Sequence, residues 1–124
     1  MDELLHKELV YEIVGCAMEV HSEMGPGFLE AVYEEALTIV FDDKGLGYEV
    51  QKPLTIRFRG KVLKKKFFAD LVVEDKVIIE LKAVAQFHKV DEAQLINYLK
   101  ATGIRVGLLV NFGKEKLEWK RFIY

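Results

Sequence analysis

The chain predicts a mixed α/β (α+β) fold, a central sheet with helices packed on it. Three observations carry that expectation. The N-terminal part repeats apolar residues at helical spacing. Two β-branched runs, Phe67–Val73 and Val77–Lys82, flank the polar Glu74-Asp75-Lys76. A glycine-closed helical stretch then leads into the apolar run Val106–Val110.

Leu4, Leu5, Leu9, Val10, Ile13, Val14, Ala17 and Met18 predict a helix from Asp2 to about His21, broken by Gly25-Pro26-Gly27. A second helix follows from about Phe28 to Asp42, with Val32, Tyr33, Leu37 and Phe41 in its stripe. Gly45 stands in the usual C-terminal place. The alternation of Leu54, Ile56 and Phe58 with Thr55, Arg57 and Arg59 predicts the first strand. Pro53 marks a strand start or an edge. Gly60-Lys61 turns the chain into a second strand running from Val62 to Val73, and Lys76–Lys82 forms the third. Asp91 to Ala101 is helical and closed by Thr102-Gly103. Ile104–Phe112 is a strand covered on both faces, and Leu117–Tyr124 alternates as a last strand. The expected order is α-α-β-β-β-α-β-β.

With 124 residues, 51% of them hydrophobic, the chain is long enough for one domain with a substantial core. A formal charge of −2 excludes a general nucleic-acid coat, so any polyanion contact must be local. The lone Cys16 forms no disulfide within the chain, reads as a small core residue, and suits a reducing, cytoplasmic location. No apolar stretch has bilayer length, and no membrane association is expected.

Asp70, Glu80 and Lys82 are the most informative residues. Charged side chains on apolar strands are costly unless paired or bound to an ion. Side chains alternate along a strand, so Glu80 and Lys82 share a face with Ile78. A turn with an odd number of residues centred on Asp75 puts Asp70 across from Glu80. Two carboxylates so close repel unless a cation lies between them or one is protonated. Mg²⁺ or Mn²⁺ fits such a pair, and Lys82 would stand beside it. The plain alternative is an ion pair between Lys82 and one acid.

Other groups are open to two readings each. Glu30 and Glu34 lie one helical turn apart, at the margin of the apolar stripe; a solvated face explains them, and so does a site. Gln94 and Tyr98 share a helix face and could position water or phosphate. Alternatively, Gln94 completes a capping box begun at Asp91, and Tyr98 is core. Arg57, Arg59, Lys61, Lys64, Lys65 and Lys66 crowd one hairpin, either to contact phosphates or to guard a strand edge. His6, His21 and His88 lack metal-ligand spacing.

Gly27-Phe28-Leu29-Glu30-Ala31-Val32-Tyr33 spells G-x-x-E-x-x-Y. It is joined by Phe68-Ala69-Asp70-Leu71-Val72-Val73, Glu80-Leu81-Lys82-Ala83, Gln94-Leu95-Ile96-Asn97-Tyr98-Leu99 and Gly107-Leu108-Leu109-Val110-Asn111-Phe112-Gly113. With these motifs the chain resembles the GxxExxY protein family, assigned to the PD-(D/E)XK nuclease superfamily. The resemblance covers nearly all of residues 1–124. It implies a single nuclease-like domain with a restriction-endonuclease-like αβββαβ core, an extra N-terminal helix and an extra C-terminal strand. It implies Asp70 and Glu80 as metal-binding acids, the Leu81 carbonyl as a further ligand, and Lys82 near the attacking water. Glu30 matches the acid supplied by the first core helix, and Gln94 and Tyr98 match a Q-x-x-x-Y pattern. Ala69 stands where the superfamily signature has proline.

The function expected is Mg²⁺- or Mn²⁺-dependent phosphodiester hydrolysis in DNA or RNA. Glu30, Asp70, Glu80 and Lys82 would be catalytic, and Gln94, Tyr98, Arg57, Arg59, Lys64 and Lys66 would bind substrate. The alternative is a non-catalytic nucleic-acid-binding or protein-interaction module. The apolar N-terminal helix could then serve a homodimer or another protein partner.

Overall fold

The computed structural model describes residues 5–124. Helix α1 (Lys7–Met24) and helix α2 (Glu30–Lys44) come first. The expected start of the first helix at Asp2, and Leu4 of its stripe, lie outside the described residues. Strand β1 (Tyr48–Leu54) follows, then the short β2 (Arg57–Phe58) and β3 (Lys61–Val62), β4 (Phe67–Val73) and β5 (Val77–Lys82). Helix α3 (Lys89–Thr102), β6 (Val106–Asn111) and β7 (Glu118–Ile123) complete the order.

Five strands form one sheet in the order β1-β4-β5-β6-β7, with β5 and β6 parallel and every other pair antiparallel. The α2, β1, β4, β5, α3, β6 series is the αβββαβ core, and α1 and β7 are the additions to it. This mixed sheet flanked by helices is a restriction-endonuclease-like fold.

The sheet divides the interior in two. Val10, Ile13, Val14, Ala17 and Val20 of α1, with Tyr33, Leu37 and Phe41 of α2, pack on Leu71, Val73, Val77, Ile79, Leu81, Val106, Leu108 and Val110. Leu95 and Leu99 of α3 pack with Val72, Ile78 and Leu109. Gly107 permits the close approach of α3, because a Cβ there would lie 2.9 Å from Leu95 Cδ1. The alternation on β5 therefore sends Ile78, Glu80 and Lys82 to the α3 side and leaves Val77, Ile79 and Leu81 on the α1/α2 side.

Two boundaries differ from the sequence expectation. The first sheet strand is Tyr48–Leu54, not the Leu54–Arg59 alternation. Leu54 of that alternation closes β1, and Arg57-Phe58 belongs to a separate ribbon, β2 paired with β3, whose residues are all exposed. The strand expected from Val62 to Val73 is interrupted between β3 and β4. Pro53 lies on the edge strand β1, where its missing N–H is tolerated.

Candidate functional site

The β4–β5 turn consists of Glu74, Asp75 and Lys76, with Glu74 and Asp75 at φ 54° and 56°. Val73 pairs with Val77, Val72 with Ile78 and Leu71 with Ile79. The ladder ends there, and Asp70, the next residue of β4, reaches β5 through its side chain. Asp70 Oδ2 accepts the Leu81 N–H at 2.8 Å, which ties the carboxylate to β5. Its Oδ1 accepts from Gln51 Nε2 at 3.1 Å, and the same amide donates to Glu34 Oε2 at 2.8 Å. Gln51 holds φ 50°, and it interrupts the β1–β4 pairing between Val50↔Leu71 and Lys52↔Ala69.

Glu80 Oε1 is buried and has no hydrogen-bond partner. Burial raises the Glu80 carboxyl to about 9. The charge of Asp70 and a hydrogen bond to it act in the same direction, and Lys82 only partly opposes them. Without a cation this carboxyl keeps its proton at neutral pH.

Lys82 does not pair with either of those acids. Its Nζ lies 3.4 Å from Asp91 Oδ1, and the other Asp91 oxygen accepts the His88 N–H at 3.2 Å. Burial pushes the Asp91 carboxyl upward, but the His88 amide and the Lys82 ammonium outweigh it and hold the group below its ordinary value. This corrects the expected cap: α3 begins at Lys89, Asp91 closes its N-terminus, and Gln94 lies beyond the first turn.

Glu30 is the first residue of α2 and is exposed. Its carboxyl is raised, chiefly by partial burial. Lys82 pulls it down, while Asp70 and Asp91 push it up, so Glu30 looks onto the same charges. Gly27 (φ 113°) and Tyr33 set this approach. The Tyr33 hydroxyl donates to the Gly25 carbonyl at 2.6 Å and accepts the Phe28 N–H at 3.2 Å, fixing the turn that delivers Glu30. Among the described residues, no group of three or more His, Cys, Asp and Glu could hold a metal ion. Asp70 and Glu80 act on each other electrostatically and form an acidic centre at this edge of β4 and β5.

Gln94 and Tyr98 line a groove of about 550 Å³ together with Ile56, Phe67, Val90, Ala93, Asn97 and Ala101. Tyr98 stacks on Phe67 with ring centroids 3.7 Å apart. Burial first, then Glu80 and Asp70, push its phenol up to about 12. Arg57, Arg59, Lys64 and Lys66 lie on the exposed ribbon and the segment after it. Among the described residues they pair with no carboxylate, and Arg59 rests over the Phe58 ring at 5.3 Å.

A family model described as the PD-(D/E)XK nuclease superfamily matches residues 7–122. The chain belongs to the PD-(D/E)XK nuclease superfamily. Enzymes of this superfamily are generally dependent on divalent metal ions. A solved structure titled "Crystal structure of SSO0001" is similar to this chain in fold, with a TM-score of 0.59 and 20% identity. The match covers 97% of this chain and 60% of that one, so the chain spans less than two thirds of its length. No curated protein matches the chain in sequence.

Asp70, Glu80 and Lys82 follow the acid, acid-x-lysine order along the chain. Sequence reasoning singled these out because charge interrupts apolar strands. It missed Gln51, whose only signal is a neutral amide in an edge strand that the alternation pattern does not reveal. It also missed Asp91 as the partner of Lys82. His21, one of the three histidines without metal-ligand spacing, is buried near the end of α1 with Nε2 2.7 Å from the Lys114 carbonyl oxygen. Among the described residues, no helix is long and apolar enough to cross a membrane.

Proposed function

We propose that this chain is a metal-dependent nuclease that hydrolyses phosphodiester bonds in DNA or RNA, with Mg²⁺ or Mn²⁺ held by Asp70 and Glu80. The observation that carries this reading is the orphaned Glu80 Oε1. A buried acceptor without a donor, beside a second carboxylate, matches what an oxygen-seeking dication needs. The backbone carbonyl of Leu81, between Glu80 and Lys82, is a further candidate ligand. The metal would supply charge stabilisation at a phosphoryl oxygen and lower the pKa of a bound water.

The chain's own residues prepare the rest. Leu81 N–H and Gln51 orient Asp70 from both sides. Lys82, held by Asp91, offers an ammonium to orient water or offset developing charge. Glu30 adds a carboxylate that can hold water or a second ion. Gln94 and Tyr98 line the cleft, and Arg57, Arg59, Lys64 and Lys66 contact the phosphate backbone. The Gly27, Glu30 and Tyr33 spacing supports placement in the GxxExxY family.

One observation favours a module that binds without cutting: Asp91 already neutralises Lys82. The two readings separate in one experiment. Mn²⁺ binding by calorimetry and cleavage of single- and double-stranded DNA and RNA are measured for wild type and Asp70→Asn. A nuclease binds the ion and cuts, and Asp70→Asn loses both. Salt-dependent nucleic-acid affinity that Asp70→Asn leaves unchanged, with no turnover, establishes the binding module. A wild type that neither binds Mn²⁺ nor cuts any substrate overturns the nuclease reading.

A further inference from the structure

We infer that the groove beside α3 receives an unpaired nucleobase, so that the chain acts on single-stranded nucleic acid or on an unpaired end. The inference rests on the nuclease reading for its chemistry and goes beyond it in naming the form of the substrate.

The groove's volume, about 550 Å³, falls within the range of small-ligand sites, roughly 300–1,000 Å³. Two aromatic rings line its wall. Phe67 and Tyr98 stack on each other with 14° between their planes, so each ring braces the other and an outer ring face is what a flat ligand would extend the stack from. Val90, 75% exposed, leaves apolar surface in water at the same place. Gln94 and Asn97 add two side-chain amides, each able to donate and accept. Stacking surface with a few adaptable amides recognises bases with little regard to identity.

Charge decides what kind of flat molecule belongs there. From Val50 to Ala69 the chain has no Asp or Glu, and it carries Lys52, Arg57, Arg59, Lys61, Lys64, Lys65 and Lys66. Lys52 is neutralised by Glu49 and Asp75. Two of the other cations adjoin the groove wall, Arg57 after Ile56 and Lys66 before Phe67, and the rest lie between them along the chain. The ribbon is closed at that wall by the Leu63 N–H donating to the Ile56 carbonyl at 2.9 Å. In a chain of net charge −2, a concentrated positive segment beside an aromatic slot matches a polyanion with flat apolar rings. A paired base in a duplex has its faces stacked and its edge occupied, so only an unpaired base can enter. Phe67 lies three residues before Asp70 on β4, about 10 Å of strand, a span that a nucleotide's sugar-phosphate can bridge.

The test is binding in EDTA, where cleavage does not interfere. Fluorescence anisotropy compares a short labelled single strand, its duplex, and the same strand without bases. The variant is Ala93→Leu with Ala101→Leu. Both positions are exposed on α3, and leucine keeps helix propensity while filling the groove. Val90→Gln removes apolar surface at an exposed position and serves as a second variant. The expected result is single-strand affinity about ten-fold or more above duplex and base-free strand, the scale of one stacked base. Both variants should lose that preference and keep their duplex affinity. Equal affinities in the wild type, or a preference that survives both variants, overturns the inference. So does light scattering that shows a dimer dissociated by the leucine variant, which would make the groove a self-interface. A groove-dependent preference in a chain that cuts nothing retires the nuclease reading alone. Cutting of duplex unaffected by the variants retires the groove alone.

Discussion

Gln51 Nε2 donates to Asp70 Oδ1 at 3.1 Å from a backbone held at φ 50°. A non-glycine residue in the left-handed region is strained, and such positions persist where the surroundings over-determine them. Here the amide bridges Asp70 to Glu34 on α2. Gln51→Gly relieves the backbone and removes the bridge. The variant should match or exceed the wild type in thermal stability, yet bind Mn²⁺ about ten-fold more weakly, as when other ligand-orienting partners are lost. Calorimetric titration alongside a melting curve checks both. Unchanged Mn²⁺ affinity would show that Gln51 has no part in presenting Asp70.

The Glu80 carboxyl gives the site a pH signature. Its value in the folded chain is raised to about 9 from 4.5. Between those limits the folded chain holds a proton that the unfolded chain has released, so this group makes stability fall as pH rises through that window. Glu80→Gln is neutral throughout. In EDTA its melting temperature should gain on the wild type from near pH 4.5 up to about 9. Saturating Mn²⁺ should reverse the order, because ion binding displaces the proton and stabilises only the wild type. Parallel pH dependences for the two proteins would remove Glu80 from the acidic centre.

The parts of this arrangement differ in how visible they are along the chain. Asp70, Glu80 and Lys82 stand out because period-two alternation on central strands leaves little choice of face. Ile78 packs beneath α3 with Val72 and Leu109, which puts Glu80 and Lys82 on that side of β5; on β4 the alternation breaks at Asp70, because Ala69 joins the same cluster as Val72 while Leu71 packs on the opposite side. β1 hides because an edge strand is covered on one side only, and Tyr48–Leu54 buries Leu54 alone. The cleaner alternation begins at that same Leu54 but runs on into Arg57-Phe58, a ribbon strand that buries neither face. Gln51 could be matched to Asp70 only with β1 in place. The Lys82–Asp91 pair spans an irregular loop whose path no local pattern fixes. His88 is an unusual residue at a helix start, so the beginning of α3 was legible only to within two residues.

Lys82 and Asp91 join the end of β5 to the first turn of α3. Their side chains are 23% and 17% exposed, so the pair is better shielded than a surface ion pair. Asp91→Asn keeps an acceptor for the His88 N–H and removes the charge. The expected loss is about 1 kcal/mol, from the ion pair and the acid at the helix N-terminus together. Urea unfolding of Asp91→Asn, Lys82→Met and the double variant isolates the coupling. Additive losses would mean that the ammonium and the carboxylate do not stabilise each other.

Tyr33 tests whether the G-x-x-E-x-x-Y spacing works through the backbone. The residue is fully buried, its ring stacks on Phe112 at 4.4 Å, and its hydroxyl serves Gly25 and Phe28. Tyr33→Phe keeps the stack and leaves the Gly25 carbonyl and the Phe28 amide without this partner. Unmade hydrogen bonds of that kind cost about 1–3 kcal/mol. The variant should therefore unfold at lower urea, and the Phe28 amide should exchange its hydrogen faster than in the wild type. Glu30 begins α2 two residues later, so the looser turn should also blunt the effect of a second change, Glu30→Gln, on Mn²⁺ affinity. If Phe28 exchange and stability are unchanged, the tyrosine does not hold the turn. If both change while the effect of Glu30→Gln stays whole, the turn and the carboxylate act independently, and the spacing between them has no mechanical meaning.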